Sequence, residues 1–205
     1  NMENNEYGLY ISDSGIATDI TINNNTVTGH RGGGVDLHKS NIGNVIISNN
    51  TFSANSAEHA GAGISVRCSD AKQITLSNNT ILDNYTYFYY GEEQNGGGGL
   101  NIFAAYSGDV IINNNIIKNN FSKGLYGAVS AHSPDSVTLA NNIIIGNNAA
   151  EGSCVRMSSR YLIVVNNIIS KNDADNEEGG LKASTYQNGK IILTNNTVTD
   201  NKTSL

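Results

Sequence analysis

Three polar residues in this 205-residue chain have types and spacings that suit chemistry on an acidic sugar. Asp36 and His38 are two residues apart, so they share one face of an extended strand, and Arg67 follows further along. A uronate lyase or epimerase needs a base for the proton next to the carboxylate and a cation that neutralises this carboxylate. We therefore assign His38 as candidate base or acid, Arg67 as carboxylate neutraliser and Asp36 as orienting group.

A sequence repeat determines where these residues lie. Seven segments share a pair of asparagines followed by a β-branched residue, and the second Asn of each pair falls at positions 25, 50, 79, 115, 142, 167 and 196. The mean separation is about 28 residues, which is typical of one turn of a large solenoid. Asp36, His38 and Arg67 lie on the segments that precede the second and third pairs.

Each repeat predicts three short strands. The first alternates apolar and polar residues, as in residues 34–38, and the second is a run such as Ile20-Thr21-Ile22. The Asn pair then turns the chain, because Asn tolerates left-handed backbone angles, and a third strand such as Thr51-Phe52-Ser53 follows. Stacked coils would place the Asn side chains in a hydrogen-bonded ladder at this second turn. The prediction is an all-β parallel solenoid of about seven coils.

Composition agrees with this fold and excludes several functions. The chain has 33 Asn and 22 Gly but one Pro, and Asn and Gly disfavour helix interiors. A net charge of −6 argues against a nucleic-acid partner, which requires a basic surface. No apolar run reaches the length of a transmembrane helix. Residues 1–205 are expected to form one domain, and the two cysteines, three coils apart, to remain unpaired.

The outward positions of the first strand form two columns along the predicted sheet. The first column comprises Tyr10, Asp36, Ser65, Asn101, Ser130, Arg156 and Lys182. The second comprises Ser12, His38, Arg67, Phe103, His132, Ser158 and Ser184. Column neighbours should lie about 4.8 Å apart. We predict ligand-binding roles for Asn101, Phe103, His132, Arg156 and Lys182, with the alternative that these are solvated residues of an exposed sheet.

Residues 85–98 form a Tyr-rich insertion that should rise beside Asn101 and Phe103. Tyr87 and Tyr89 are candidate ligand-binding residues, because aromatic rings stack on sugars. The alternative is that the aromatic side chains cover an exposed sheet edge or pack against a neighbouring domain.

The only cofactor considered is calcium. Asp173, Asp175 and Glu177 concentrate carboxylates in a short segment, and carboxylate oxygens are the ligands that Ca²⁺ prefers. The spacing of the following Gly departs from the EF-hand pattern, so a solvated acidic turn is the alternative. No other metal cluster or phosphate-binding loop is predicted.

The repeats resemble the right-handed parallel β-helix family, the pectin-lyase-like superfamily, over residues 8–201. Within it, Gly33-Gly34-Val35 and the Phe52-Ser53-Ala54-Asn55 motif are similar to repeats of polymorphic outer-membrane proteins and related microbial adhesins. That resemblance implies a secreted or cell-surface stalk or adhesin with polysaccharide contact along the first sheet. Residues 34–38 are similar to the Asp-Pro-His motif of mannuronan epimerases, but Leu37 replaces the proline.

Two functions from different classes follow. The first is the cell-surface or secreted stalk or adhesin, and the second is a polysaccharide lyase or uronate epimerase that uses Asp36, His38 and Arg67. A self-assembling sheath is a third possibility. Because solenoids expose raw sheet edges, we expect a fragment of a longer protein, with flanking domains or partners that cap both ends.

Overall fold

The structure is a computed structural model that describes residues 2–3, 6–13, 18–58, 60–87, 96–175 and 178–204. This part of the chain contains β-strands and no helix. The strands are β1 Met2–Glu3, β2 Leu9–Asp13, β3 Thr18–Asn23, β4 Thr26–Thr28, β5 Val35–Ser48, β6 Thr51–Ser53, β7 Ser56–Ala57, β8 Ile64–Ser77, β9 Thr80–Leu82, β10 Tyr85–Thr86, β11 Leu100–Asn113, β12 Ile116–Lys118, β13 Phe121–Leu125, β14 Val129–Ala140, β15 Ile143–Ile145, β16 Asn148–Glu151, β17 Val155–Val165, β18 Ile168–Ser170, β19 Asp173–Asp175, β20 Leu181–Ser184, β21 Lys190–Thr194, β22 Thr197–Thr199 and β23 Lys202–Ser204.

The strands stack into three parallel sheets, which confirms the predicted solenoid. Sheet I holds β2, β5, β8, β11, β14, β17 and β20 in this order, with β3 paired to β5 and β21 to β17. Sheet II runs in the order β1, β4, β6, β9, β12, β15, β18 and β22. Sheet III runs from β7 through β10, β13, β16 and β19 to β23. From the second coil, β5 to β7, onward, each coil therefore contributes to all three sheets in turn.

The number of strands per coil is as predicted, but their bounds differ. The first and second predicted strands are continuous in sheet I, as in the 14-residue strand Val35–Ser48, because the chain between them stays extended and paired. The third predicted strand forms sheet II. Sheet III was not predicted as a strand, because segments such as Ser56–Ala57 are too short to show an alternating pattern.

The two residues of each Asn pair have separate roles. The first Asn adopts the left-handed backbone, with φ of 56° at Asn49 and 55° at Asn78, and so makes the turn from sheet I to sheet II. The second Asn is buried, with 2% of Asn50 and 1% of Asn79 exposed. The sharp turn and the buried amide are thus supplied by adjacent residues.

The buried asparagines form the predicted ladder. The side-chain Nδ2 of Asn79 donates to the carbonyl of Ile47 at 2.8 Å and to Oδ1 of Asn115 at 3.0 Å. The backbone N–H of Asn79 donates to the same Oδ1 at 2.9 Å. The pattern repeats from Asn25 to Asn196, so each amide satisfies backbone groups that the turn would leave unpaired.

A second ladder lies five residues further on, between sheets II and III. It comprises Asn55, Asn84, Asn120, Asn147, Asn172 and Asn201. The spacing of these asparagines in the sequence repeat, five residues after each pair, indicates the same structural role. In the first coil His30 takes this place, and its backbone N–H donates to Oδ1 of Asn55 at 3.1 Å.

The residue before each member of the second ladder is also left-handed, and one of them is an alanine. Ala54 has φ of 53° and is exposed, so its Cβ adds strain without a packing benefit. We expect Ala54→Gly to raise the free energy of unfolding by about 0.5–1 kcal/mol. The control is Ala140→Gly in strand β14, which should lower it. Urea unfolding followed by circular dichroism measures both, and a destabilised Ala54→Gly variant would contradict the assignment.

The core fills the interior of the solenoid with the inward side chains of all three sheets. Val35, Leu37, Val45 and Ile47 of one coil are fully buried together with Phe52 of sheet II. The glycines before the first strand fit the close approach of coils, because a Cβ on Gly63 would lie 2.5 Å from the carbonyl oxygen of Gly99. In the sixth coil Cys154 occupies the same place.

Both cysteines are free and buried, as the sequence predicts. Burial, followed by the nearby carboxylates Asp70 and Asp173, raises the pKa of Cys68 to about 11 and that of Cys154 to about 12. Both thiols should therefore resist iodoacetamide at pH 8 in the folded chain and react in urea, which mass spectrometry would count. Because the pKa of each thiol is higher in the folded than in the unfolded chain, the two neutral thiols contribute fully to stability below about pH 9. This contribution is lost as pH rises towards 12. Rapid alkylation of the folded chain would contradict this prediction.

Among the described residues no helix is long and apolar enough to cross a membrane.

Candidate functional site

Strand pairing in sheet I reproduces both predicted columns. Asp36 pairs with Ser65, and Ser65 pairs with Asn101. His38 pairs with Arg67, and Arg67 pairs with Phe103. The columns continue through β14, β17 and β20 without a change of partner at these positions. His38 and Arg67 are therefore neighbours, as predicted.

The first column is not an open groove along its whole length. Its central members Ser65, Asn101 and Ser130 are buried, with 2%, 2% and 7% of each residue exposed. The turns that lead into the first strands lie over them, since a Cβ on Gly61 would meet Ser65 and one on Gly97 would meet the backbone of Asn101. The column is accessible at Asp36 and again from Arg156 onwards.

The end of the first column at Asp36 borders a pocket of about 550 Å³. This volume lies within the range of about 300–1,000 Å³ that is typical of small-molecule sites. Sheet I contributes Asp36, Ser65 and Arg67, and the segments that lead into four successive first strands contribute the rest. The complete lining is Glu6, Tyr7, Arg31, Gly32, Asp36, Ala57, Glu58, Ala60, Gly61, Ser65, Arg67 and Tyr87. We call this site the Arg67 pocket.

Two polar atoms of the Arg67 pocket are buried without a hydrogen-bond partner. They are Nε of Arg67 and Oγ of Ser65. A buried donor that is left unsatisfied costs about 1–3 kcal/mol, so most native donors have a partner. A ligand whose acceptor oxygens approach these two atoms would satisfy them.

The pocket lining also carries negative charge, which comes from Asp36 on sheet I and from Glu6 and Glu58 in the turns. Burial, followed by the charges of Asp36 and Glu6, raises the pKa of Tyr7 above its usual value, and Glu58 contributes in the same direction. Tyr7 therefore keeps its phenolic proton at neutral pH and can donate a hydrogen bond. The pocket thus combines carboxylates that accept from hydroxyl groups with guanidinium groups that donate to a carboxylate.

The start of the Tyr-rich insertion contributes one ring to this pocket. Tyr87 is 40% exposed, and its backbone N–H donates to the carbonyl of Ala57 at 3.1 Å. Its ring stacks on Tyr85 with centroids 6.3 Å apart, and Tyr85 stacks on Phe121 at 5.1 Å. This support fixes the position of Tyr87, whereas Tyr89 lies outside the described residues.

The structure places Phe103 and His132 in an aromatic stack that begins beside Arg67 but does not line this pocket. Their ring centroids are 5.0 Å apart with an interplanar angle of 18°, and His132 stacks on Tyr186 at 6.4 Å. The hydroxyl of Tyr186 donates to the carbonyl of Ser133 at 3.1 Å. The facing sides of these rings pack against one another, so they are not available to stack on a sugar.

The cations at the far end of the first column have local partners. The guanidinium of Arg156 lies 4.9 Å from the ring centroid of Tyr126. Lys182 forms an ion pair with Glu178 at 3.8 Å. Of the predicted ligand-binding residues that the structure describes, Tyr87 alone lines the Arg67 pocket.

The calcium candidates also lie elsewhere than expected. Asp173 and Asp175 belong to strand β19 of sheet III, where Asp173 pairs with Asn148, rather than to a turn. Glu177 lies outside the described residues. Within the described ranges, no group of three or more His, Cys, Asp or Glu side chains is arranged to hold a metal ion.

Sequence reasoning brought Asp36, Arg67 and Tyr87 forward but missed Tyr7, Arg31 and Glu58. The missed residues lie in the turns that precede successive first strands. Aligning the residues before each glycine of these turns would have revealed a third set of stacked positions. The two predicted columns contain only the residues that line the sheet I side of the pocket.

The comparison with protein families agrees with this geometry. A family described as the right handed beta helix region matches residues 1–169. The chain belongs to the right-handed β-helix family. This β-helix also fits the pectin-lyase-like superfamily, as its repeats suggest. Neither curated proteins nor solved structures gave a significant match to the chain.

Proposed function

We propose that this β-helix is a secreted or cell-surface module that binds an acidic polysaccharide in the Arg67 pocket. The observation that carries the proposal is the pair of buried, unpartnered atoms Arg67 Nε and Ser65 Oγ within a pocket of about 550 Å³. A uronate carboxylate is an acceptor group with the charge that suits Arg67. It would satisfy both atoms at once.

The remaining lining residues suit the rest of a sugar. Sugar hydroxyl groups donate to carboxylates, and Asp36, Glu6 and Glu58 supply three of them. The exposed rings of Tyr7 and Tyr87 offer apolar surface to the C–H face of a pyranose. The basic residues of the pocket thus have a partner in the carboxylate of a uronate, and the acidic residues have partners in its hydroxyl groups.

The experiment is a binding screen that uses tyrosine fluorescence, since the chain has ten Tyr and no Trp. Oligomers of galacturonate, mannuronate and guluronate are compared with neutral oligomers of the same length. We expect saturable binding of at least one acidic oligomer, weakened by Tyr87→Ala. Tyr106→Ala is the matched control, because Tyr106 is 74% exposed and does not line the pocket. Equal binding of neutral oligomers, or no binding of any, would count against the proposal.

A polysaccharide lyase or uronate epimerase is the second candidate function. One observation favours it: Asp36 and Arg67 line the same pocket, and His38 is the neighbour of Arg67 in sheet I. In this mechanism Arg67 neutralises the uronate carboxylate and lowers the barrier to removal of the adjacent C5 proton, which His38 takes. In a lyase the electron pair then forms the C4–C5 double bond while the glycosidic C4–O bond breaks and the leaving oxygen takes a proton from water. In an epimerase a proton from water returns to C5 from the opposite face. Asp36 orients the sugar. His38 is exposed and does not line the pocket, so in this mechanism the sugar extends past Arg67 to reach it.

An activity assay separates the two functions. Pectate, alginate and glycosaminoglycans are incubated with and without Ca²⁺, and the unsaturated product of β-elimination is followed by ultraviolet absorbance, while NMR detects epimerisation. An enzyme should lose turnover with His38→Ala and keep oligomer binding. Binding without turnover on every substrate leaves the adhesive module as the function.

A further inference from the structure

The outward side chains of sheet III form a column that passes beside the Arg67 pocket. Ser56 pairs with Tyr85, and Tyr85 pairs with Phe121. The backbone N–H of Ser56 donates to the carbonyl of His30 at 2.7 Å, and this hydrogen bond places Arg31 opposite Ser56 in the first coil. The column therefore contains Arg31, Ser56, Tyr85 and Phe121 in four successive coils.

One face of the Tyr85 ring is open. Phe121 stacks on the other face, with centroids 5.1 Å apart and an interplanar angle of 15°. On the open side the neighbour in the column is Ser56, whose side chain is too short to cover an aromatic ring, and Tyr85 is 41% exposed. The ring of Tyr87 lies beside that of Tyr85 in a nearly parallel plane, with centroids 6.3 Å apart. The two tyrosines therefore form one aromatic wall.

Arg31 lies on the other side of Ser56 from this wall. Neighbouring strands are about 4.8 Å apart, so the backbones of Arg31 and Tyr85 are separated by about 9.6 Å. Van der Waals contact takes about 3.5–4.0 Å on each face of a ring, so one sugar ring fits over Ser56 between them. Arg31 is exposed, and a guanidinium binds a carboxylate through two parallel hydrogen bonds. We call this gap the Ser56 slot.

The Ser56 slot opens into the Arg67 pocket, because Arg31 and Tyr87 also line the pocket. A ligand in the pocket cannot extend along the first column of sheet I, since its next members, Ser65 and Asn101, are each 2% exposed. The open path for a ligand longer than one sugar therefore leads over sheet III.

We propose that the Ser56 slot is a second sugar subsite, so that the ligand is an oligosaccharide with two adjacent uronates. This inference rests on the proposed function of the Arg67 pocket. One uronate occupies the pocket, and the next stacks on Tyr85 with its carboxylate on the guanidinium of Arg31. The chain would then prefer polymers of consecutive uronates to polymers in which uronates alternate with neutral sugars.

The experiment is titration calorimetry with galacturonate and its dimer, and with the corresponding monomers and dimers of mannuronate and guluronate. For the uronate that binds, we expect the dimer to bind the wild-type chain at least about tenfold more tightly than the monomer. The reason is that the second sugar adds a hydrogen bond to a charged group and a ring contact. The ratio of the two dissociation constants is called the dimer advantage.

Ser56→Phe fills the slot without a change to the residues that line the Arg67 pocket. The added ring would stack on the open face of Tyr85, so the dimer advantage should be lost while the monomer keeps its wild-type dissociation constant. Asn148→Phe is the matched control, because Asn148 follows Phe121 in the same column and lies outside the slot. It should leave the dimer advantage unchanged, and circular dichroism checks that both variants fold.

Arg31→Gln is an independent test that does not depend on the added ring, because Arg31 is exposed and its replacement leaves the core intact. It should also reduce the dimer advantage. If no uronate of either length binds, or if neutral sugars bind equally, the proposed function fails and the second subsite fails with it. If the monomer binds but the dimer gains nothing, or if a folded Ser56→Phe or Arg31→Gln variant keeps the full dimer advantage, the second subsite alone is overturned.

Discussion

Replacement of Asn115 by leucine is expected to lower the free energy of unfolding by about 2–6 kcal/mol, because at least two buried backbone groups lose their partners at about 1–3 kcal/mol each. Oδ1 of Asn115 accepts from the N–H of Asn79 at 2.9 Å, and its Nδ2 donates to the carbonyl of Leu76 at 3.0 Å. Leucine has a similar volume but fills neither role. Urea unfolding measures the change against a total stability of about 5–15 kcal/mol for a domain.

The preceding residue provides the matched control. Asn114 has φ of 56° and is exposed, so glycine can replace it without loss of a buried hydrogen bond. We expect Asn114→Gly to change stability by less than about 1 kcal/mol. Equal destabilisation by both variants would show that the turn, rather than the ladder of amides, holds the coils together.

The second large effect is expected in binding. Arg67→Gln should weaken binding of the acidic oligosaccharide about 10- to 100-fold, because a hydrogen bond to a charged group contributes about 1.5–3 kcal/mol. The amide keeps one donor but loses the positive charge and the Nε–H that is buried without a partner in the pocket. Titration calorimetry measures the dissociation constant of each variant.

Arg156→Gln is the control for this loss. Arg156 lies on the same sheet in the first column, but its guanidinium stacks on Tyr126 and does not line the pocket. Its replacement should leave the dissociation constant within about twofold, or about 0.4 kcal/mol. A larger loss with Arg156→Gln than with Arg67→Gln would place the ligand at the Arg156 end of sheet I rather than in the pocket.

Much of the fold follows from the sequence because the repeat encodes it redundantly. The paired Asn at seven positions define the turn, and the alternation in residues 34–38 defines which side chains face outward. Parallel stacking then determines every neighbour, so the pairing of His38 with Arg67 was predictable. Register errors are costly here, because a shift of one residue would turn the core residues outward.

The accessibility of the outward residues of sheet I was not predictable from the sequence in the same way. Whether Asn101 is accessible depends on how the glycine-rich turn at Gly97 folds over the sheet, and no periodic pattern describes such turns. The stacking of Phe103 on His132 likewise depends on side-chain rotamers rather than on strand register. The pocket therefore combines a predictable side, sheet I, with an unpredictable one.

The most direct test of the proposed function is a crystal structure of the chain with the acidic oligosaccharide that binds best in the screen. The account predicts a sugar carboxylate within hydrogen-bond distance of Arg67 Nε and Ser65 Oγ, with the sugar ring against Tyr7 or Tyr87. A ligand bound along Phe103 and His132, with the Arg67 pocket empty, would contradict it.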